Sequence, residues 1–304
     1  MTTFTITPDT PFSLAAAAAF GFGPNTGRPQ QEAGEMRLAF VTDDLDGQAA
    51  VHLTQRDDGT IDGAVTGEAD PAAVRQQVCR VLSLDHPGTG WLAVGQRDPV
   101  IGELQAAHPG LRPVLFHSPY EAAAWSIISA RRRRSQAAVI RTRLAQAAGR
   151  SFVVGGEPVD AFPTPQQLLA VEEFRGLEPA RIARLHAVAR AALDGALGPA
   201  RLAALDPAEA LAELQRLPGI GPTYATLILL RGTGVTDVLT FQEPMLASYA
   251  ARFYGTRPEP LTPEQIEAIA AKWRPFRTWA AVLIRVAGDR RWGAVTTGPV
   301  PARR

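Results

Sequence analysis

The stretch Leu214-Gln-Arg-Leu-Pro-Gly-Ile-Gly-Pro-Thr-Tyr-Ala225 has the composition of a tight bend between two helices. Pro222 suits the first position of a helix, where its missing amide costs nothing. Gly219 and Gly221 allow positive φ and leave no Cβ to obstruct a close partner. Between them, Ile220 can fill the space between the two helices and hold the turn rigid. The sequence therefore predicts a helix ending near Gln215, a glycine-lined turn, and a second helix from Pro222.

Four other segments carry helix start signals, each with a capping residue, a proline and a later polar residue. They are Ser118-Pro119-Tyr120-Glu121, Thr164-Pro165-Gln166-Gln167, Asp206-Pro207-Ala208-Glu209 and Thr262-Pro263-Glu264-Gln265. Each is interpreted as a capping box, in which two polar side chains satisfy free amides. Because no alternating run of useful length interrupts them, residues 111–304 are predicted to form an all-α domain.

The N-terminal residues have a different pattern. Alternating runs separated by turn residues predict strands, and Asp57-Asp58-Gly59 is a hairpin turn. Asp70-Pro71 supplies an N-cap and a first-turn proline for a helix. Residues 1–110 are therefore predicted to form a small α+β domain, in which no catalytic constellation is found. The strand segments are Phe4–Thr7, Met36–Val41, Val51–Gln55 and Ile61–Val65.

Charge divides along the same boundary. Residues 1–110 carry 6 basic and 14 acidic residues, which gives a net charge of −8. Residues 111–304 carry 25 basic and 16 acidic residues, which gives a net charge of +9. A basic half joined to an acidic half suggests that the second half meets a polyanion, although compositional drift toward arginine gives the same totals. The amides of the predicted turn would form an anion site. On duplex DNA that anion would be a backbone phosphate; the alternative is an ordinary tight turn.

The remaining composition excludes several classes of protein. With Cys79 as its one cysteine, the chain cannot form an intrachain disulfide, a four-cysteine iron–sulfur cluster or a structural zinc site. The five histidines are scattered without metal-ligand spacing. No basic residue precedes Arg28, and the run Ala15–Ala19 is too short to span a bilayer. We therefore expect a cytoplasmic protein with no membrane segment and no required cofactor.

These motifs resemble the helix-hairpin-helix DNA glycosylase superfamily, and most closely the 3-methyladenine DNA glycosylase II family. The likeness covers most of the chain and follows one order, through Gly110-Leu111-Arg112-Pro113, Trp125-Ser126-Ile127-Ile128, the hairpin, Arg231-Gly232 to Asp237-Val238, and Trp273–Trp279. It implies a TATA-binding-protein-like N-terminal domain, a monomer, and duplex DNA with alkylated bases as the partner. It also implies DNA contacts at the hairpin, from Leu217, Gly219, Ile220, Gly221 and Thr223.

The resemblance places the catalytic carboxylate about twenty residues beyond the hairpin. Alignment puts Glu243 at this position, where the family has aspartate in a Pro-x-Asp setting. A carboxylate in a dry site can stabilise an oxocarbenium ion and position water. The alternative is that Glu243 caps the helix after Pro244, which would leave Asp237 as the fallback carboxylate. Bifunctional relatives place a nucleophilic lysine where this chain has Thr223, and the single lysine, Lys272, is distant in sequence. A monofunctional enzyme is therefore expected.

Two further sets of residues follow from the resemblance. The family's wedge loop falls near Ser129–Ser135, so the run Arg131, Arg132, Arg133 and Arg134 is expected to contact DNA, with a solvated charged face as the alternative. The candidates for stacking on an extruded base are Trp125, Tyr224, Phe241 and Trp279, each of which also suits a hydrophobic core. Arg285 replaces the pocket tryptophan of a relative. A monovalent cation on the carbonyls of Gln215, Leu217 and Ile220 is implied by resemblance alone.

Two other functions stay open at this point. A non-catalytic DNA-binding protein on the same scaffold would explain Glu243 and the arginine run. A helical protein-interaction module would leave the hairpin glycines and the basic half without a purpose.

Overall fold

A four-stranded antiparallel sheet and two helices form the N-terminal part. The computed structural model describes residues 2–20, 34–240, 244–255 and 259–293. The strands are β1 (Thr2–Ile6), β2 (Glu35–Val41), β3 (Gln48–Gln55) and β4 (Ile61–Thr66), and the helices are α1 (Leu14–Ala19) and α2 (Pro71–Val81). Their order in the sheet is β1-β4-β3-β2. The predicted strands are confirmed, and Gly59, at φ +84°, lies in the turn between β3 and β4.

Helices make up most of the remaining chain. They are α3 (Gly88–Arg97), α4 (Pro99–Ala107), α5 (Pro119–Ser129), α6 (Arg134–Ala148), α7 (Pro165–Leu169), α8 (Pro179–Leu193), α9 (Pro199–Ala204), α10 (Pro207–Leu214), α11 (Pro222–Ile228), α12 (Pro244–Phe253), α13 (Pro263–Ala270) and α14 (Arg277–Trp292). A π-helical turn, Leu229–Thr233, continues α11, and a 3-10 turn, Ala271–Trp273, continues α13. No helix within the described ranges has the length and apolar character needed to cross a membrane.

The apolar side chains form separate cores. The first joins α5, α6, α8, α10 and α11. The second joins α3 and α4 to α12, α13 and α14, with Trp91 and Ile101 packed alongside Trp273 and Trp279. A third lies between the N-terminal sheet and its two helices. Because α3 and α4 share a core with the C-terminal helices, the packing does not divide at residue 110.

The prediction that residues 111–304 are all-α is wrong at one place. Strands β5 (Arg150–Val154) and β6 (Glu157–Ala161) form an antiparallel hairpin. Its turn is Gly155-Gly156, with φ of +56° and +79°, a conformation that suits a two-residue hairpin. Phe152 and Val154 are buried in a small apolar cluster that includes Ala39 and Ala50 of the N-terminal sheet. The hairpin therefore joins the helical part of the chain to the sheet.

The predicted capping boxes have different outcomes. Those at Thr164 and Thr262 are confirmed, with both reciprocal hydrogen bonds formed. At Asp206 the side chain accepts from the amide of Ala208, and no reciprocal bond from Glu209 is found among the described residues, so the prediction of a capping box there is wrong. At Ser118 half of the box forms, because the hydroxyl accepts from the amide of Glu121 at 3.2 Å. The Glu121 carboxylate has other partners, so the prediction of a complete box there is wrong.

Glu121 instead lies at the junction between the sheet and the helices. Its Oε2 accepts from Arg141 Nη2 at 2.8 Å and lies 3.1 Å from His117 Nδ1, and Oε1 accepts from the amide of Val41 in β2 at 3.3 Å. Burial alone would raise the pKa of the Glu121 carboxyl, but the charges and hydrogen bonds of His117 and Arg141 lower it to about 2. This carboxylate is therefore held ionised while it links the two parts of the fold.

Candidate nucleic-acid interface

The hairpin has the predicted form. Helix α10 ends at Leu214, and α11 begins at Pro222. Ile220 between them is 4% exposed and belongs to the first core, and its amide donates to the carbonyl of Leu217 at 3.0 Å. Gly219 has a φ of +91°, the left-handed region that glycine occupies without strain. The buried isoleucine therefore fixes a turn whose two glycines lie at the surface.

The turn presents amides to solvent. Gly219, Gly221 and Thr223 are exposed, and their N–H groups have no hydrogen-bond partner among the residues that the structure describes. The first amide of α11 that donates within the helix is that of Ala225, which bonds the carbonyl of Gly221 at 2.9 Å. Free amides beside a helix N-terminus attract an anion, because their dipoles add to that of the helix. The geometry thus suits a phosphate.

The neighbourhood of Gly219 is crowded. A Cβ placed on this residue would lie 2.9 Å from Cδ of Arg184 in α8 and 3.1 Å from Cδ1 of Ile127 in α5. At Gly221 the same construction meets nothing within 4 Å, and φ is an ordinary −93°. Glycine is therefore required at the first position for both conformation and packing, whereas the second position has room for a side chain.

The arginine run divides into residues with different environments. Arg132 is fastened to the protein, because its Nη1 donates to the carbonyl of Ile128 and its Nη2 donates to the carbonyl of Gly176 and to the carboxylate of Glu178. Arg131, at φ +55°, and Arg133, the N-cap of α6, are exposed. Arg134 begins α6 and is also exposed. Arg132 thus has a structural role that the sequence did not distinguish from the others.

Sequence reasoning also missed how this loop is held. Arg181 in α8 donates from Nη1 to the carbonyl of Ile127 at 2.5 Å and from Nη2 to the carbonyl of Ala130 at 2.9 Å. Its Nε donates to Glu178 at 2.8 Å. Together with Arg132, this side chain attaches the end of α5 and the loop after it to the start of α8. The arginine loop and the hairpin therefore both border α8.

The segment that leads from the hairpin toward Glu243 is anchored on α14. Arg277 Nε donates to Asp237 Oδ1 at 2.7 Å, and Arg274 Nη1 donates to Oδ2 of the same carboxylate at 3.2 Å. Thr278 Oγ1 accepts from the amide of Val238 at 3.1 Å and donates to its carbonyl at 2.8 Å. Asp237, the fallback carboxylate, is thus engaged in two ion pairs. Glu243 itself, with Phe241 before it, lies outside the described residues.

The stacking candidates have mostly core environments. Trp125 is 7% exposed in the first core, and Trp279 is 2% exposed in the second, where it packs against Trp91 and Phe276. Tyr224 is half-buried against the first core. Packing alone explains the burial of both tryptophans. Arg285 forms an ion pair with Asp289 at 3.0 Å and places its guanidinium carbon 5.6 Å from the centre of the Tyr249 ring.

Two observations concern metal ions. The described residues contain no group of three or more His, Cys, Asp or Glu side chains arranged to hold a metal. At the hairpin, the carbonyl of Leu217 accepts from the amide of Ile220, which leaves one of its lone pairs available. Neutral backbone oxygens of this kind fit a monovalent cation, so a cation at Gln215, Leu217 and Ile220 stays a prediction.

Comparison with known proteins gives the following similarities. No protein-family model matches the sequence. Over 188 residues, which are 60% of this chain, it is 32% identical to DNA-3-methyladenine glycosylase 2 of Escherichia coli. The resemblance to the 3-methyladenine DNA glycosylases is confirmed. The matched region spans 63% of that relative's length.

Solved structures of glycosylases share the fold. The 3-methyladenine DNA glycosylase from Archaeoglobus fulgidus superposes with a TM-score of 0.76 at 21% identity, over 96% of this chain and all of that one. The 8-oxoguanine glycosylase/lyase of Clostridium acetobutylicum superposes with a TM-score of 0.64 at 17% identity, over 94% of this chain and 96% of that one. The chain therefore shares the fold of these two solved structures, with an antiparallel sheet followed by many helices.

Proposed function

We propose that this protein is a DNA glycosylase of base-excision repair, which hydrolyses the N-glycosidic bond of alkylated purines of the 3-methyladenine and 7-methylguanine type in duplex DNA. The observation that carries the proposal is the bend at Gly219–Gly221, whose free amides face solvent within the basic half of the chain. Contacts of this kind to phosphate position a duplex without reading its sequence. The similarity to a DNA-3-methyladenine glycosylase supports the choice of substrate.

In the proposed reaction, water replaces the damaged base. The C1′–N bond breaks with its electron pair going to the base, the water oxygen bonds to C1′, and the proton lost by the water passes to a carboxylate and from there to solvent. An N-alkylated purine is already a good leaving group because it carries positive charge. The protein therefore has to stabilise the oxocarbenium ion and position the water. We assign both tasks to Glu243, by its alignment with the family's aspartate.

The proposed enzyme is monofunctional. At the position of the nucleophilic lysine it has Thr223, the second residue of α11, whose hydroxyl cannot form a Schiff base. Lys272 lies in the 3-10 turn after α13, and its carbonyl accepts from Arg97 of α3. This turn belongs to the second core, whereas the hairpin belongs to the first. We expect base release without strand cleavage.

Several accompanying features belong to the same proposal. The protein would act in the cytoplasm as a monomer on duplex DNA, without an iron–sulfur cluster or another required cofactor. Its N-terminal sheet, with β1, β4, β3 and β2 in that order, would be a domain of the TATA-binding-protein type. The hairpin carbonyls would hold a structural monovalent cation.

The test is excision of 3-methyladenine and 7-methylguanine from methylated duplex DNA. Wild type should release both bases and leave an intact abasic strand. Glu243→Gln should release them about 100-fold more slowly, whereas Glu267→Gln, an exposed change of the same kind in α13, should act like wild type. Equal release by wild type and Glu243→Gln would remove this residue from catalysis. Tight duplex binding without release by wild type would favour a non-catalytic DNA-binding protein, and strand cleavage would contradict monofunctional chemistry.

A further inference from the structure

Arg184 lies beside the hairpin with a free guanidinium. It is in the second turn of α8, and its Cδ approaches Gly219 so closely that a Cβ there would be 2.9 Å away. The side chain is exposed, and the described residues give its guanidinium neither a hydrogen bond nor an ion pair. The stem of Arg184 thus lies against Gly219 while the charge at its end is available to a ligand.

The neighbouring arginine on α8, Arg181, differs from Arg184 because its guanidinium is already bound within the protein. Arg181 precedes Arg184 by three residues, so both lie on one face of α8. The guanidinium of Arg181 is used for Glu178 and for the carbonyls of Ile127 and Ala130. Its role is to hold the loop after α5. Arg184 has a neighbour of another kind, the turn at Gly219, where the amides of Gly219 and Gly221 are also without partners among the described residues.

We propose that Arg184 binds a second backbone phosphate of the DNA strand held by the hairpin, next to the phosphate held by the amides. Guanidinium groups bind phosphate through two parallel hydrogen bonds, which gives both charge and orientation. The stem of Arg184 passes over Gly219, so the two anion sites share one surface. This inference rests on the proposed binding of duplex DNA, and it adds a binding residue that the hairpin motif does not contain.

The contact between the Arg184 stem and Gly219 explains why residue 219 has no room for a side chain. Any side chain there would displace the Arg184 stem and Ile127. Glycine is therefore needed at residue 219 for two reasons. It adopts a φ of +91° without strain, and its missing Cβ leaves room for the stem of Arg184. At Gly221 no such neighbour lies within 4 Å. The basic surface is thus predicted to extend from the turn toward α8.

The experiment compares duplex binding by the full-length wild type, Arg184→Gln, Arg184→Lys and Arg190→Gln. Arg190 is the matched control, because it lies on the same helix, is exposed, and has no side-chain partner among the described residues. Dissociation constants are measured by fluorescence anisotropy on an undamaged duplex over a series of salt concentrations. A thermal melt of each variant establishes that the fold is retained.

We expect Arg184→Gln to bind roughly 3- to 10-fold more weakly at low salt, with the slope of log K against log [salt] smaller by about 0.9, the value for one lost phosphate contact. Arg184→Lys should keep most of the slope, because it keeps the charge. Arg190→Gln should match wild type in both quantities. Weaker binding with this pattern supports the phosphate contact.

Two results would overturn the inference. An equal loss of affinity in Arg184→Gln and Arg190→Gln would indicate a general effect of net charge. Weaker binding by Arg184→Gln with the salt slope unchanged would indicate a change in hairpin shape. In both cases the proposed function would stand, since wild type still binds and excises. If wild type binds with the expected Arg184 dependence but releases no base, the glycosylase proposal fails and the inference stands.

Discussion

Gly221 offers a direct test of the proposed phosphate contact. It is the N-cap of α11, it is exposed, and a Cβ there meets nothing within 4 Å. Replacement by Asp or Asn should therefore fit without strain. Both side chains are favourable N-caps that accept from amides in the first turn of the helix. We expect each to leave stability unchanged or to raise it by a few tenths of a kcal/mol.

The two variants differ in charge, and this difference sets the expected effect on binding. A carboxylate about 5 Å from a phosphate repels it by about 1 kcal/mol in water and about 3 kcal/mol at an effective dielectric constant of 20. Gly221→Asp should therefore bind duplex DNA roughly 5- to 160-fold more weakly than Gly221→Asn. Gly221→Asn should itself bind more weakly than Gly221→Ala, because its side chain occupies the amides that the phosphate would use.

The assay is anisotropy with an undamaged duplex, at low salt and again near 0.5 M salt, together with a thermal melt of each variant. The gap between Asp and Asn should narrow at high salt, because screening shortens the range of the repulsion. Equal affinity of these two variants at low salt, with both folded, would refute a phosphate at the hairpin amides. Gly219 is less suitable for this purpose, since its φ of +91° and its contact with Arg184 would combine strain with charge.

Two further predictions concern buried and half-buried carboxylates. Glu121→Gln should lower the free energy of unfolding by about 3 kcal/mol at pH 7. Because the pKa of Glu121 is about 2 in the fold and 4.5 in its absence, this contribution is complete above about pH 4.5 and is lost as the pH falls toward 2. Urea unfolding at pH 3 should therefore show a smaller difference in stability between wild type and variant, and a difference that does not change with pH would contradict the assignment. Asp237→Asn should loosen the segment before Glu243 by weakening its contacts with Arg274 and Arg277. Single-turnover excision should slow about 10-fold while duplex affinity stays within about 2-fold of wild type. A loss of duplex affinity as large as the loss of excision rate would contradict a positioning role.

The sequence predicted best those features that depend on neighbouring residues. Thr164 and Thr262 form capping boxes because each needs only a hydroxyl and a Gln side chain three residues later. The hairpin was predictable for the same reason, as its conformation depends on the positive φ of Gly219, the buried side chain of Ile220 and the helix start at Pro222. The β5–β6 hairpin was missed, although Gly155-Gly156 between alternating apolar residues is a recognised signal for it. That signal was present in the sequence.

Features that depend on distant parts of the chain could not be predicted in this way. Ser118 and Glu121 have the spacing of a capping box, but Glu121 binds His117 and Arg141, and the latter lies twenty residues further along the chain. Likewise, four consecutive arginines are equivalent in sequence, and only the approach of α8 gives Arg132 its own partner in Glu178. Whether an arginine is structural or available to a ligand is decided by tertiary contacts.

The anchoring of the segment before Glu243 bears on how glutamate could replace aspartate. Helix α11 and the π-helical turn after it run without a break from Pro222 to Thr233, about 15 to 18 Å at the usual rise per residue. Beyond this rigid element, Asp237 and Val238 are fixed on Arg277 and Thr278. The distance from the hairpin to Val238 is therefore set by parts that cannot shift easily. If Glu243 carries out the proposed chemistry, its additional methylene has to be accommodated after Val238, by the short stretch that ends at α12. Shortening or lengthening that stretch by one residue should therefore reduce base release far more than duplex binding.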